Sequence, residues 1–265
     1  MNDFLINHEE SSKMKFINKL TPVALATTLA LAGIALVPAT ANAELSGNIG
    51  VHSKYLLRGI FEENTGAAVQ GGLDYSDDSG LYVGWWGSSL GYSYDATAST
   101  TTVLKGFEND VYAGYAGEAG SIGYDIGLIQ YLYINVDDSN LTELTGKVTM
   151  GDAYVGFQYL LTDGWWGNSG DVYWKAGYAL GLPKDFGLAF DLGFYTYNDD
   201  DAGNTELGGA TTQTSAFRHL NLTLSHAVGA TGADMYVQYT FAGEDRSAVE
   251  YDNSMVMGIT YGFDI

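Results

Sequence analysis

The residues able to do chemistry are imidazoles, amides and charges placed one residue apart from apolar neighbours. His219 and Asn221 are separated by Leu220, His52 and Lys54 by Ser53, and Asp125, Asp191 and Gln238 each sit between two large apolar side chains. An imidazole with an amide two positions away could serve hydrolysis if a serine hydroxyl joined them on the same face. Ser225 and His226 are adjacent, so in an extended segment they point to opposite faces. The chain has four histidines, His8, His52, His219 and His226, and no cysteine, which excludes thiolate chemistry. Gly203 to Gly209 lacks the strand and helix that flank a phosphate loop, and Asp199-Asp200-Asp201 lacks the glycine and distant glutamate of an EF-hand. Enzymatic activity, a cofactor and a metal centre are therefore not expected. The alternative is that these polar groups line one face of a set of strands.

The alternation that places them there is clearest at the end of the chain. Met255, Met257, Ile259, Tyr261 and Phe263 are large and apolar, whereas Val256, Gly258, Thr260, Gly262 and Asp264 are mostly small or polar. Side chains of a strand alternate between faces, so this segment has one greasy face. The same pattern returns over 152–161, 171–182, 186–197, 216–228 and 233–242. There Leu220, Leu222 and Leu224 oppose His219, Asn221 and Thr223, and Val172, Trp174 and Tyr178 oppose Lys175 and Gly177. Weaker versions occupy 45–60, 68–76, 80–92, 106–117, 120–133 and 143–150. In the first, Ile49, Val51, Tyr55 and Leu57 are set against His52, Lys54, Leu56 and Arg58. The total is about twelve strands.

The first 43 residues read differently. Lys15 and Lys19 precede an apolar run from Leu20 to Val37, which ends at Ala41-Asn42-Ala43. Charged start, apolar middle and small-residue exit predict a signal peptide with an N-terminal extension over 1–43, cleaved after Ala43. Residues 44–265 are then the folded domain. Loss of 1–43 removes three basic and three acidic residues and leaves the net charge at −21. Such an acidic chain is not expected to bind nucleic acid. After residue 43 no apolar stretch is long enough for a membrane helix, so any span must be a strand.

The connections between strands alternate in length. Long ones fall at 61–67, 93–105, 134–142, 162–170, 198–214 and 243–251, and short ones at 77–79, 118–119, 151, 183–185 and 229–232. Long external loops and short periplasmic turns characterise outer-membrane barrels. An apolar interior at this strand number would be too wide for side chains to fill. The apolar face therefore points to lipid, and a closed antiparallel up-and-down barrel satisfies every backbone amide there. Tyr55, Tyr75, Trp85, Tyr92, Tyr115, Tyr131, Tyr133, Trp165, Trp166 and Tyr178 lie near strand ends, where headgroup-level aromatics belong.

The opposite face supplies the candidate site. On this register the lumen holds His52, Lys54, Arg58, Asp74, Asp110, Asp125, Lys147, Asp152, Lys175, Asp191, His219, Asn221 and Gln238. The expected constriction sets Lys54, Arg58, Lys147 and Lys175 against Asp74, Asp110, Asp125 and Asp191, because opposite charges across a wet pore orient polar solutes. Tyr82, Trp86, Tyr112, Tyr131, Tyr154, Tyr173 and Tyr195 fall on the same face and would suit a solute-specific channel. Expected partners are outer-membrane lipids and lipopolysaccharide, the barrel-assembly machinery and small hydrophilic solutes.

Ser53-Lys54-Tyr55-Leu56-Leu57-Arg58-Gly59-Ile60, Val69-Gln70-Gly71-Gly72-Leu73-Asp74-Tyr75 and Ser79 to Ser88 resemble the opening of the TorF porin family of proteobacteria. Tyr112-Ala113-Gly114-Tyr115 and Tyr124-Asp125-Ile126-Gly127 are similar to its later pattern. The resemblance implies an exported outer-membrane barrel of Gram-negative bacteria that passes small solutes passively, and it brings no catalytic residues. The end departs from such barrels, since Phe263 is followed by Asp264 and Ile265.

Overall fold

In the computed structural model, residues 44–59, 61–94 and 105–265 are described. The expected signal peptide lies outside them. The strands are β1 (Glu44–His52), β2 (Tyr55–Leu57), β3 (Phe61–Asn64), β4 (Ala68–Ser76), β5 (Leu81–Ser89), β6 (Phe107–Ala119) and β7 (Ile122–Ile134). They continue as β8 (Thr142–Met150), β9 (Ala153–Leu160), β10 (Val172–Leu182), β11 (Phe186–Thr196), β12 (Ser215–Ala227), β13 (Ala233–Ala242) and β14 (Ser254–Asp264). Twelve of them, β1 and β4 to β14, form a closed antiparallel barrel in sequence order, and β14 returns to pair with β1. Closure leaves no edge strand, so every ladder position has a partner.

The greasy faces point outward. Ile126, Val155, Met257 and Val83 are each about half exposed, and they belong to a band of large apolar side chains that runs right round the wall. A soluble monomer does not carry so large a continuous apolar surface, whereas a bilayer covers it. Tyr75, Trp85, Tyr115 and Tyr178 are among the outward aromatics. The lumenal faces are packed with glycine and tyrosine. At Gly84 the ring of Tyr112, on the paired strand, lies where a Cβ would be, so only glycine lets that ring lie flat against the wall.

Several expectations are corrected by the fold. The segment 45–60 is not one strand: β1 stops at His52, and the chain then leaves the wall. Residues 61–67 are not simply an external loop, because β2 and β3 pair with each other as a separate two-stranded sheet. Asp152 lies in the turn between β8 and β9 and is exposed. Tyr131 and Tyr133 are buried in the lumen rather than in a headgroup belt, and Tyr55 and Trp166 pack against them. The physical reason is shared: aromatics favour strands on either face, so residue type alone does not say which way a ring points.

Candidate functional site

The segment joining β1 to β4 folds across the barrel. Ser53 still bonds to Met257 on β14 through its backbone N–H at 2.7 Å, and Lys54 donates to the Ser254 hydroxyl at 2.9 Å. Leu56 then packs with Tyr236 and Val256 on β13 and β14. The tip reaches the far wall. Arg58 and Gly59 both have positive φ, 48° and 78°, and a side chain at Gly59 would run into His219 on β12. The returning arm bonds back to the barrel, with Gly91 N–H donating to the Glu63 carbonyl at 2.8 Å and the Asn64 amide to the Ser89 carbonyl at 3.1 Å.

Arg58 anchors the tip. One of its terminal nitrogens donates to both carboxylate oxygens of Glu143 on β8 at 2.7 Å, and the other donates to the Tyr195 hydroxyl on β11. The guanidinium also lies 4.7 Å from the ring centre of Tyr173 and 5.3 Å from that of Trp166. Both partners of the ion pair are buried, with side chains 6% and 1% exposed. Burial is the largest influence and works against the charge on Arg58, but Glu143, Tyr195 and Tyr131 together more than offset it, so the guanidinium is held protonated. Glu143 has further donors: Tyr131 at 2.9 Å and the Gln158 amide at 2.8 Å, while Lys175 reaches the Gln158 carbonyl oxygen at 3.4 Å. Around this latch the free cavity is about 60 Å³, room for a few waters at most.

Tyrosines satisfy much of the lumenal acid. Tyr112 donates to Asp74 at 2.5 Å, Tyr82 to Asp125 at 3.1 Å, Tyr133 to Glu108 at 3.0 Å and Tyr154 to Asp191 at 2.7 Å. A tyrosine hydroxyl stabilises a carboxylate without cancelling its charge. The wall from β4 to β8 therefore carries Asp74, Glu108, Asp110, Asp125 and Glu143 against Lys147. Lys175 and Arg218 lie on β10 and β12.

All of the wall but its last residue lies within the match of one family model, described as "Bacterial protein of unknown function (Gcw_chp)", which covers residues 37–263. The chain belongs to the Gcw_chp family. No curated protein matches it. Among solved structures, the KdgM porin is 11% identical, with 82% of this chain and 99% of that chain covered at a TM-score of 0.50. A structure from work on in-meso crystallization of membrane proteins is 9% identical, with 84% of each chain covered at a TM-score of 0.51. The COG4313 outer membrane channel from Pseudomonas putida F1 is 11% identical, covering 87% and 97% of the two chains at 0.49. At these identities the shared property is the fold, a closed outer-membrane-type barrel.

In this Gcw_chp barrel the expected lumen residues are placed as follows. His52, Asp74, Asp110, Asp125, Lys147, His219 and Gln238 are buried on the inward face, and Lys175, Asp191 and Asn221 are partly buried there. Lys54 and Arg58 are inward too, but on the crossing segment rather than on a strand. Asp125 is the register partner of Lys147 on the next strand, and Arg58 is paired with Glu143, a residue outside the expected set. Glu143 shares a face with Lys147, and Glu108 with Asp110, so the two-residue spacing carried that signal. Arg218 had none: a bulge opposite Gly193 and Phe194 places it inward beside His219, breaking the alternation. Arg246 comes from the last long loop and donates to Asp171 at 2.6 Å. His219 shares a hydrogen bond with Tyr173 at 2.7 Å, and His226 packs on Phe186 at 4.3 Å between ring centres.

Proposed function

We propose that the protein is an outer-membrane porin that passes small hydrophilic solutes or ions through a polar lumen narrowed by its own β1–β4 segment. The observation that carries this reading is the contrast between faces. The outside of the wall is an apolar band, and the inside is lined by carboxyl, amine and hydroxyl groups around a hydrogen-bonded latch. A lumen of that chemistry favours water and polar solutes over apolar ones. The resemblance of residues 53–88 to TorF porins supports the same reading, as does the outer-membrane-type fold. The acid-rich wall from β4 to β8 gives the channel a mild preference for cations.

The test is conductance of refolded protein in planar bilayers, with a panel of salts and sugars. Discrete channels with a reversal potential favouring cations are expected. Persistent electrical silence would count against the porin and favour a structural barrel with a plugged lumen. The tyrosine–carboxylate pairs favour a second reading, a solute-specific channel in which rings and acceptors alternate along the path. Saturable current block by one sugar or amine class would distinguish it from general diffusion.

A further inference from the structure

Above the latch, at the long-loop mouth, lies a cavity of about 440 Å³, within the roughly 300–1,000 Å³ range of small-molecule sites. It is separate from the constriction. Its lining includes Glu63, Tyr92, Tyr94, Tyr133, Trp165 and Trp166, drawn from four different parts of the chain. Five of these six are aromatic. Tyr94 and Trp165 stand about half exposed at the rim, so two of the rings remain open to a ligand.

The base of the cavity is acidic. Glu63 is buried and accepts the Tyr92 hydroxyl at 2.5 Å. The Tyr133 hydroxyl passes the contact inward to Glu108 at 3.0 Å. Glu108 is fully buried behind the lining and does not itself face the cavity. Among the described residues no three acidic or imidazole side chains converge as a chelated metal requires. Aromatic walls with a carboxylate behind them are instead the chemistry that holds organic cations. The protein already holds one cation this way, since the Arg58 guanidinium sits against Trp166 and Tyr173 beside Glu143.

We propose that this mouth cavity binds small organic cations bearing an alkylammonium group. The rings of Trp165, Trp166 and Tyr94 face the cation and its carbon chain. Glu63 supplies the counter-charge, an ammonium ion beside it favouring its ionised form, and Glu108 stands behind it. The site acts on the outer side of the latch, so binding does not depend on whether solute goes on through the lumen.

The test is calorimetric titration of the refolded full barrel in an uncharged detergent, with butylammonium and its neutral counterpart butan-1-ol. One saturable site for butylammonium is expected, with no saturable binding of butan-1-ol. Trp165→Ala should weaken binding about 2- to 30-fold, the range of a cation–ring contact. Glu63→Gln should weaken it by about ten-fold or more through loss of the counter-charge. Equal binding of butan-1-ol would reduce the cavity to an apolar pocket and overturn the proposal. So would the absence of saturable butylammonium binding at tens of millimolar, or full-strength binding in both variants. Channel recordings without amine report on the porin reading alone, so the two ideas can fail separately.

Discussion

Arg58→Ala should release the tip of the crossing segment and enlarge the channel. The guanidinium makes two 2.7 Å contacts to Glu143 in a site where the two side chains are 6% and 1% exposed. A hydrogen bond to a charged group contributes about 1.5–3 kcal/mol net, and stacking over Trp166 and Tyr173 adds about 0.5–2 kcal/mol. Allowing for the desolvation recovered when the charge is deleted, the tip loses roughly 3 kcal/mol of its hold. That corresponds to about a hundred-fold rise in the undocked-to-docked ratio. Glu143 is not left bare, because Tyr131 and Gln158 still donate to it. Glu143→Gln acts differently: it strands a buried guanidinium and should cost about 3–5 kcal/mol of stability. The double variant should therefore be less damaged than the sum of the two. Single-channel recording is the assay for the opening, and urea unfolding of the refolded barrel is the assay for the cycle. The latch reasoning fails if Arg58→Ala matches wild type in conductance and noise while the cycle shows a coupling below about 0.5 kcal/mol.

Other consequences follow from the same geometry. Glu108→Gln combined with Asp110→Asn should move the reversal potential toward neutrality; an unchanged cation preference would place selectivity elsewhere. Gly59→Ala should destabilise the crossing segment by about 1–3 kcal/mol, since Gly59 has positive φ and no room for a Cβ against His219; noisier, larger channels are the readout, and quiet wild-type currents would refute it. Burial lifts the Glu63 carboxyl to about 7, with the hydrogen bond from Tyr92 opposing the rise. Because this raises the folded-state value above the unfolded one, the carboxyl imposes no penalty below about 4.5, and stability is lost as pH climbs towards and past 7. Tyr92, Tyr133, Glu108 and Asp110 surround that carboxyl and offer it no basic partner. Channel noise should therefore grow between pH 5 and 8 in wild type and flatten in Glu63→Gln, and parallel pH profiles would contradict the assignment. Cysteines placed at Leu224 and Asn221 should react with lipid-soluble and aqueous reagents respectively, and the reverse result would turn the wall inside out.

Much of the wall was legible because its signal is local. A two-residue alternation decides the face of each strand, and a barrel needs only that decision repeated with a turn between. Hence the apolar sets in 216–228, 233–242 and 254–264 all point outward, and their polar partners inward. The alternation misled where the chain left the wall. Residues 53–58 keep a strand-like pattern, yet their apolar members Tyr55 and Leu56 bury against Trp86 and Tyr236 inside the barrel. Turn chemistry gave no warning, since of the two residues with positive φ there, Arg58 and Gly59, only the glycine is a type suited to it.

The sequence by itself determined an antiparallel barrel of about twelve strands, its greasy side and its wet side, because strand pleating and the need to pair every amide in lipid act residue by residue. Tertiary structure alone decided which charges meet. Arg58 and Glu143 are 85 positions apart, and their encounter depends on barrel circumference and on a segment crossing the lumen, while the bulge in β12 turns Arg218 inward. Those are properties of the closed ring, and no spacing along the chain encodes them.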